Sequence, residues 1–230
     1  MGKKASDIIT GAIREAIKEN GLARILLATG ASQLSTYNEL IEEDIEWGKV
    51  EMFHLDEYIG LPMTHGASFR KYLRGRFVDL VHPKKANFVS GEGDVAENIR
   101  ILTEELRKAP IDVALIGLGE NGHIGFNDPP ADFETDESYI RVMLDEKCKL
   151  QQVGEAWFSS IEEVPNETIT MTVREIMKSR KIISIVPYQV KAAAVRDTLN
   201  AEIGPMIPAS ILRTHEDWTL LLDEESASLL

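Results

Sequence analysis

The stretch "IDVALIGLGENGHIGFNDPP", Ile111 to Pro130, decides how the chain is read. Its first part is a continuous apolar run, the pattern of a strand covered on both faces of a parallel sheet. Gly117, Gly119 and Gly122 follow at the G-x-G-x-x-G spacing of a dinucleotide-binding turn. Such a turn needs its third glycine to open a long helix whose N-terminus faces a pyrophosphate. Gly125, Pro129 and Pro130 block a regular helix here,. The spacing therefore predicts a shaped loop and argues against a nucleotide cofactor. Asn121, His123, Asn127 and Asp128 crowd that loop at the carboxyl end of a strand, the edge where open α/β sheets bind ligands,. His123 and Asp128, five apart on a loop that glycines let bend back, can meet as an oriented acid–base pair. The alternative is a histidine that only satisfies loop carbonyls.

Outward from this stretch, strand-like and helix-like patterns alternate. Ala5, Ile8, Ile9, Ala12, Ile13, Ala16 and Ile17 recur at helical spacing, and Asn20-Gly21 ends that helix,. "ARILLA" (Ala23 to Ala28) reads as a buried strand, and Leu34, Tyr37, Leu40 and Ile41 mark a second helix. Further strands are expected at Lys49–Leu55, Ser138–Leu144, Lys181–Pro187 and Asp217–Leu222. Helices are expected at Ser68–Val81, Val95–Ala109, "KCKLQQVGEAWF" and "QVKAAAVRDTL". Apolar strands alternating with helices predict an α/β fold, a mostly parallel sheet with helices on both faces. No repeat or linker divides the 230 residues, so one domain, 1–230, is expected,.

Composition narrows the function. With 25 basic against 38 acidic residues the net charge is −13, which disfavours a general nucleic-acid partner,. A small phosphorylated ligand stays compatible, because backbone N–H groups and one or two lysines hold a phosphate locally. No apolar run is long enough for a membrane span, and the charge-studded N-terminus is unlike a secretory signal,. A single cysteine, Cys148, cannot form an internal disulfide, which points to the reducing cytoplasm,. His54, His65, His82 and His215 form no metal-spaced cluster, so no metal is expected.

Two other strand ends carry chemistry. "FHLDEYIGLP" places Asp56 and Glu57 after a strand, where paired acids are either solvated or functional. "LLATGAS" places Thr29, Gly30, Ala31 and Ser32 ahead of a helix. Hydroxyls, a flexible glycine and free helical N–H groups make a phosphate cradle, and a simple cap by Ser32 is the alternative.

Taken together, "LLATGAS", "FHLDEYIGLP" with "ASFRKYL", and "IGLGENGHIGFNDPP" resemble the glucosamine-6-phosphate deaminase (isomerase) family in order and spacing. "VKAAAV" and "PASILRTH" are similar too, so the resemblance spans nearly the whole chain. Related 6-phosphogluconolactonases share the fold but lack the "DEYIGLP" run. The resemblance implies a three-layer, Rossmann-like fold of the ribose-5-phosphate isomerase/CoA-transferase kind. It also implies conversion of glucosamine 6-phosphate and water to fructose 6-phosphate and ammonium, without a cofactor. By motif match, Asp56 falls at the enolisation base, His123 at the ring-opening acid–base position, and Asn121 and Asp128 at positions supporting it. Thr29, Gly30, Ala31 and Ser32 with Lys191 fall at the phosphate contacts.

Some positions depart from the family pattern. Asn121 stands where Asp is frequent, Asp128 where Glu is usual, and Gln33 where the phosphate loop often has Pro. The segment that in the family often supplies a second phosphate-binding arginine here reads "CKLQQVGEAWF", which contains none. The sequence ends with "DEESASLL", from which no activation by an N-acetylated sugar phosphate is expected. A non-catalytic sugar-phosphate sensor and a 6-phosphogluconolactonase-type hydrolase remain alternatives. The sequence leaves open whether the protein is a homo-oligomer and which hexosamine it prefers.

Overall fold

In a computed structural model that describes all of residues 1–230, the run "ARILL" forms β1 (Ala23–Leu27), buried at all five positions. Strand periodicity sends Ile25 and Leu27 into one apolar core and Leu26, with Ala28 beyond it, into another,. The first core packs α1 (Gly2–Asn20) and α2 (Ala31–Leu40) against one face of a sheet, through residues such as Ile9, Ile13 and Tyr37. The second packs α5 (Val95–Leu106), α7 (Val173–Ile176) and α8 (Ala192–Asn200) against the other, through Leu102, Ile176 and Val195. The expected α/β sandwich of helix, sheet and helix is therefore observed.

The sheet contains β2 (Val50–His54), β4 (Lys85–Asn87), β5 (Val113–Leu115), β8 (Lys181–Val186) and β9 (Trp218–Leu222) besides β1. Its order is β4-β2-β1-β5-β8-β9 and every pairing is parallel. Winding runs outward from β1 on one side and from β5 on the other. The switch between these central strands opens a crevice at their carboxyl ends, because the flanking connections leave in opposite directions.

A second sheet, order β3-β7-β6, combines β3 (Asp56–Tyr58), β7 (Glu167–Met171) and β6 (Tyr139–Met143) in antiparallel pairs. Leu55 is the hinge between the sheets: its N–H donates to the Leu27 carbonyl at 3.1 Å and its carbonyl accepts from the Met171 N–H at 2.9 Å. The next residue, Asp56, pairs with Thr170 in the second sheet.

Several local expectations change. The Ser138–Leu144 strand belongs to the antiparallel sheet and not to the parallel one. The Ser68–Val81 helix is α3 (Phe69–Leu73), a π turn over Arg74–Val78 and α4 (Asp79–Val81). α6 (Glu146–Gly154) stops at its glycine, and Ala156 beyond it takes φ +62°, so "EAWF" is a turn,. β3, β4 and β7 escaped the reading because "DEY", "KAN" and "ETITM" are too short or too polar to show a period. No helix is long and apolar enough to cross a membrane.

Candidate active site

Four segments leaving the carboxyl ends of β1, β2, β5 and β8, together with the end of α6, enclose a cleft of about 400 Å³. That volume suits a small polar metabolite. Thr29, Gly30, Ala31, Ser32, Asp56, His123 and Lys191 all line it. Asn121 and Asp128 do not; they stand behind His123.

The loop after β5 builds around that histidine. The Gly119 N–H donates to the His123 carbonyl at 2.9 Å, and the Gly122 N–H donates to the Gly119 carbonyl at 3.1 Å. Gly122 and Gly125 take φ +80° and +58°, a region costly to residues with a β-carbon,. His123 is buried, with Nδ1 3.1 Å from Oδ1 of Asp128. Asn121 closes the arrangement: its Oδ1 accepts from the His123 N–H at 3.1 Å and its Nδ2 donates to Asp128 Oδ1 at 3.2 Å. Burial pushes the Asp128 carboxyl up, but His123, Asn121 and the Cys148 thiol together outweigh it and hold the group below the usual carboxylate range. The thiol itself is pushed up by burial and by Asp128. Imidazole, carboxylate and thiol donor atoms lie within 4.8 Å of one another, a spacing that also suits a thiophilic metal ion,. A neutral imidazole with its Nδ1 side turned to a carboxylate presents Nε2 for proton exchange.

Asp56 approaches from the second sheet. Burial, and then the neighbouring Glu57, raise its carboxyl well above the ordinary value, with no hydrogen bond offsetting them. Gly125 makes room for it: a β-carbon there would lie 2.7 Å from Thr170 Oγ1 and 3.4 Å from Asp56 Oδ2. Glu57, its partner in sequence, points the other way and is fully buried. It accepts from the Ser68 hydroxyl and from the N–H groups of Tyr58, Phe69 and Arg70, and it pairs with the Arg70 guanidinium at 3.3 Å. The two acids therefore divide, one facing the cleft and one holding the start of α3.

At the far end, α2 begins without a side-chain cap. Gly30, φ +137°, is its N-cap, so Ser32 is not the cap. The Thr29 hydroxyl is buried without a partner. The free N–H groups of the first turn are a ready anion site. Lys191 sits in a 3-10 turn, Gln189–Lys191, just before α8 rather than in the helix itself. Gly117 lies under Gln33, whose Nε2 would be 3.3 Å from a β-carbon there. Gly117 and Gly119 thus line the cleft, whereas Gly122 lies outside it against Ile207.

Sequence reasoning missed the α6 wall, where Gln151, Gln152, Glu155 and Trp157 reach the cleft. Adjacent amides near the end of α6, followed by an acid and a tryptophan in the turn beyond it, break the apolar periodicity, and that break was the available signal. It also missed the apolar floor of Phe69 and Phe126, whose rings stack 5.7 Å apart.

Fold and site together define an α/β protein with a polar cleft at the carboxyl edge of a parallel sheet. Residues 1–221 match the profile of the family described as glucosamine-6-phosphate isomerases/6-phosphogluconolactonase, and the chain belongs to that family. Glucosamine-6-phosphate deaminases of Thermoanaerobacter sp. (strain X514) and Clostridium acetobutylicum are 37% and 34% identical to it over 238 residues, which cover all of this chain and 91% and 95% of theirs. A solved monomeric glucosamine-6-phosphate deaminase, described as a missing link of the NagB superfamily, matches with TM-score 0.88 and 31% identity over 100% of this chain and 97% of that one. The 6-phosphogluconolactonase of Thermotoga maritima matches in fold alone, with TM-score 0.79 and 16% identity over 96% and 94% of the chains.

Proposed function

We propose that the cleft converts glucosamine 6-phosphate and water to fructose 6-phosphate and ammonium. The observation that carries this reading is that Asp56 and His123 face one cavity whose other end holds Lys191 and the uncapped turn of α2. His123 moves a proton between the ring oxygen and the anomeric oxygen, opening the sugar to its aldehyde. Asp128 and Asn121 fix the tautomer and stabilise the charged imidazole. Asp56 takes the C2 proton, leaving an enolamine, and returns it at C1 to give a C2 imine. Water adds at C2, and the carbinolamine expels ammonia to leave the ketone. Each positioned proton transfer contributes roughly 10²–10⁴-fold. Phosphate held by Thr29 to Ser32 and Lys191 supplies remote binding energy that sets C1 and C2 against Asp56.

The test is a coupled assay for ammonium release from glucosamine, galactosamine and mannosamine 6-phosphates with wild type and Asp56→Asn. Release should fall about 10²–10⁴-fold in the variant while fructose 6-phosphate still binds. Binding without release by the wild type would make the protein a sensor. Hydrolysis of 6-phosphogluconolactone that survives Asp56→Asn would make it a lactonase.

A further inference from the structure

Among the residues lining the cleft, Lys191 is the only lysine or arginine, and its side chain is 7% exposed. Its ammonium faces a carboxylate: Glu155 Oε1 lies 3.7 Å from Lys191 Nζ. That carboxylate is not a loose surface group. Its Oε1 accepts from Gln151 Nε2 at 2.8 Å and its Oε2 from the Trp157 indole N–H at 3.2 Å. The side-chain Oε1 of Gln151 in turn accepts from the Glu120 N–H at 3.1 Å, tying the α6 wall to the loop of His123. The end of the cleft best suited to an anion thus contains an anion of its own, held in place by its own segment.

An ammonium buried this deeply is costly without a partner, and Glu155 provides one while the cleft is empty. A phosphoryl group arriving at Lys191 meets that same carboxylate at a range where like charges repel strongly in a partly dry site. We propose that Glu155 sets the affinity of the cleft for phosphate: it acts as the internal counter-ion of Lys191, and a ligand has to take the lysine from it. This rests on the assignment of Lys191 and the α2 turn to phosphate. A phosphorylated sugar takes the lysine because contacts along the rest of the cleft supplement its phosphate. A small anion has only the phosphate end to offer and is turned away.

The experiment is calorimetric titration of wild type, Glu155→Gln, Lys191→Gln and the double variant with inorganic phosphate and with fructose 6-phosphate, and KM for glucosamine 6-phosphate beside it. Glu155→Gln should bind both ligands about three- to tenfold more tightly and lower KM, a gain that disappears in the Lys191→Gln background. Glu155→Ala, which removes the charge without offering an amide, must change phosphate affinity in the same direction. Equal or weaker phosphate binding in the Glu155 variants overturns the proposal, as does a gain that persists without Lys191. If the wild type releases no ammonium, the reaction assigned above fails, yet the inorganic phosphate titration still decides the role of Glu155.

Discussion

The imidazole of His123 lies over the α-carbon of Gly119 so closely that a β-carbon there would fall 2.2 Å from its Cε1. The second glycine of the apparent nucleotide fingerprint is thus the seat of the histidine ring. No flexible side-chain tip can yield to relieve that overlap; the ring itself has to move.

Gly119→Ala should therefore displace His123 from Asp128 while leaving the sheet intact. We expect kcat for ammonium release to drop about 10²-fold, as for a misplacement near 1 Å, with the far-ultraviolet circular dichroism unchanged. A variant of wild-type activity would show that the ring position does not matter.

Asp56 should titrate above its ordinary carboxyl value of 3.8, because burial first, and Glu57 second, disfavour its charged form,. A carboxyl raised in the fold ionises first in the unfolded chain, so this group lowers stability as pH rises from 3.8 through the folded value,. Asp56→Asn should then melt about 2–4 °C higher than wild type at pH 7 even as it loses activity. Carboxyl-carbon NMR, with the variant assigning the signal, checks the titration; a midpoint at or below 3.8 contradicts it.

His54 is the acid-sensitive point of the core. It is fully buried with neither ring nitrogen bonded, edge-on to Phe88 with ring centroids 5.9 Å apart. Burial, and then Arg70, lower its pKa to about 3 from 6.5. Between those values the unfolded chain binds the proton and the folded one does not, so stability declines as pH falls from 6.5 toward about 3,. From this residue alone we expect a loss of about 2 kcal/mol between pH 6.5 and pH 5. Urea unfolding of wild type and His54→Gln at the two pH values measures it; equal slopes would remove His54 as the cause.

Glu57→Ala should destabilise the protein by about 3–5 kcal/mol, since it takes the buried carboxylate from the Arg70 guanidinium and leaves the Phe69 and Arg70 N–H groups without their acceptor,. Denaturant unfolding at pH 7 reads this directly. A loss below about 1 kcal/mol would mean that Glu92, 2.7 Å from Arg70 Nη2, suffices to hold the arginine,.

Much of the frame was legible in the chain. "ARILL", "KVEMFHL" and "KIISIVP" are mostly apolar because both faces of their sheet are covered, and helices α1, α5 and α8 carry a clear 3.6-residue stripe,. "ETITM" and "DEY" were not legible as a sheet, since antiparallel pairing with one another depends on partners over 100 residues apart in the chain. Of the candidate site, the residues bearing imidazole, carboxylate and free backbone N–H were visible as unusual polar groups at strand ends. The wall formed by Gln151, Glu155 and Trp157 was not, because ordinary side chains at the end of a short helix and in the turn after it acquire meaning only from what they face.

By itself the sequence determined the alternation of elements, the parallel sheet and the glycine-shaped loop, all consequences of local periodicity and backbone sterics. Only the tertiary structure decided that Asp56 faces the cleft while Glu57 braces a helix, that Gly119 seats His123, and that Lys191 is met by Glu155. Those outcomes depend on distances between segments far apart in the chain, and packing, not local pattern, sets such distances.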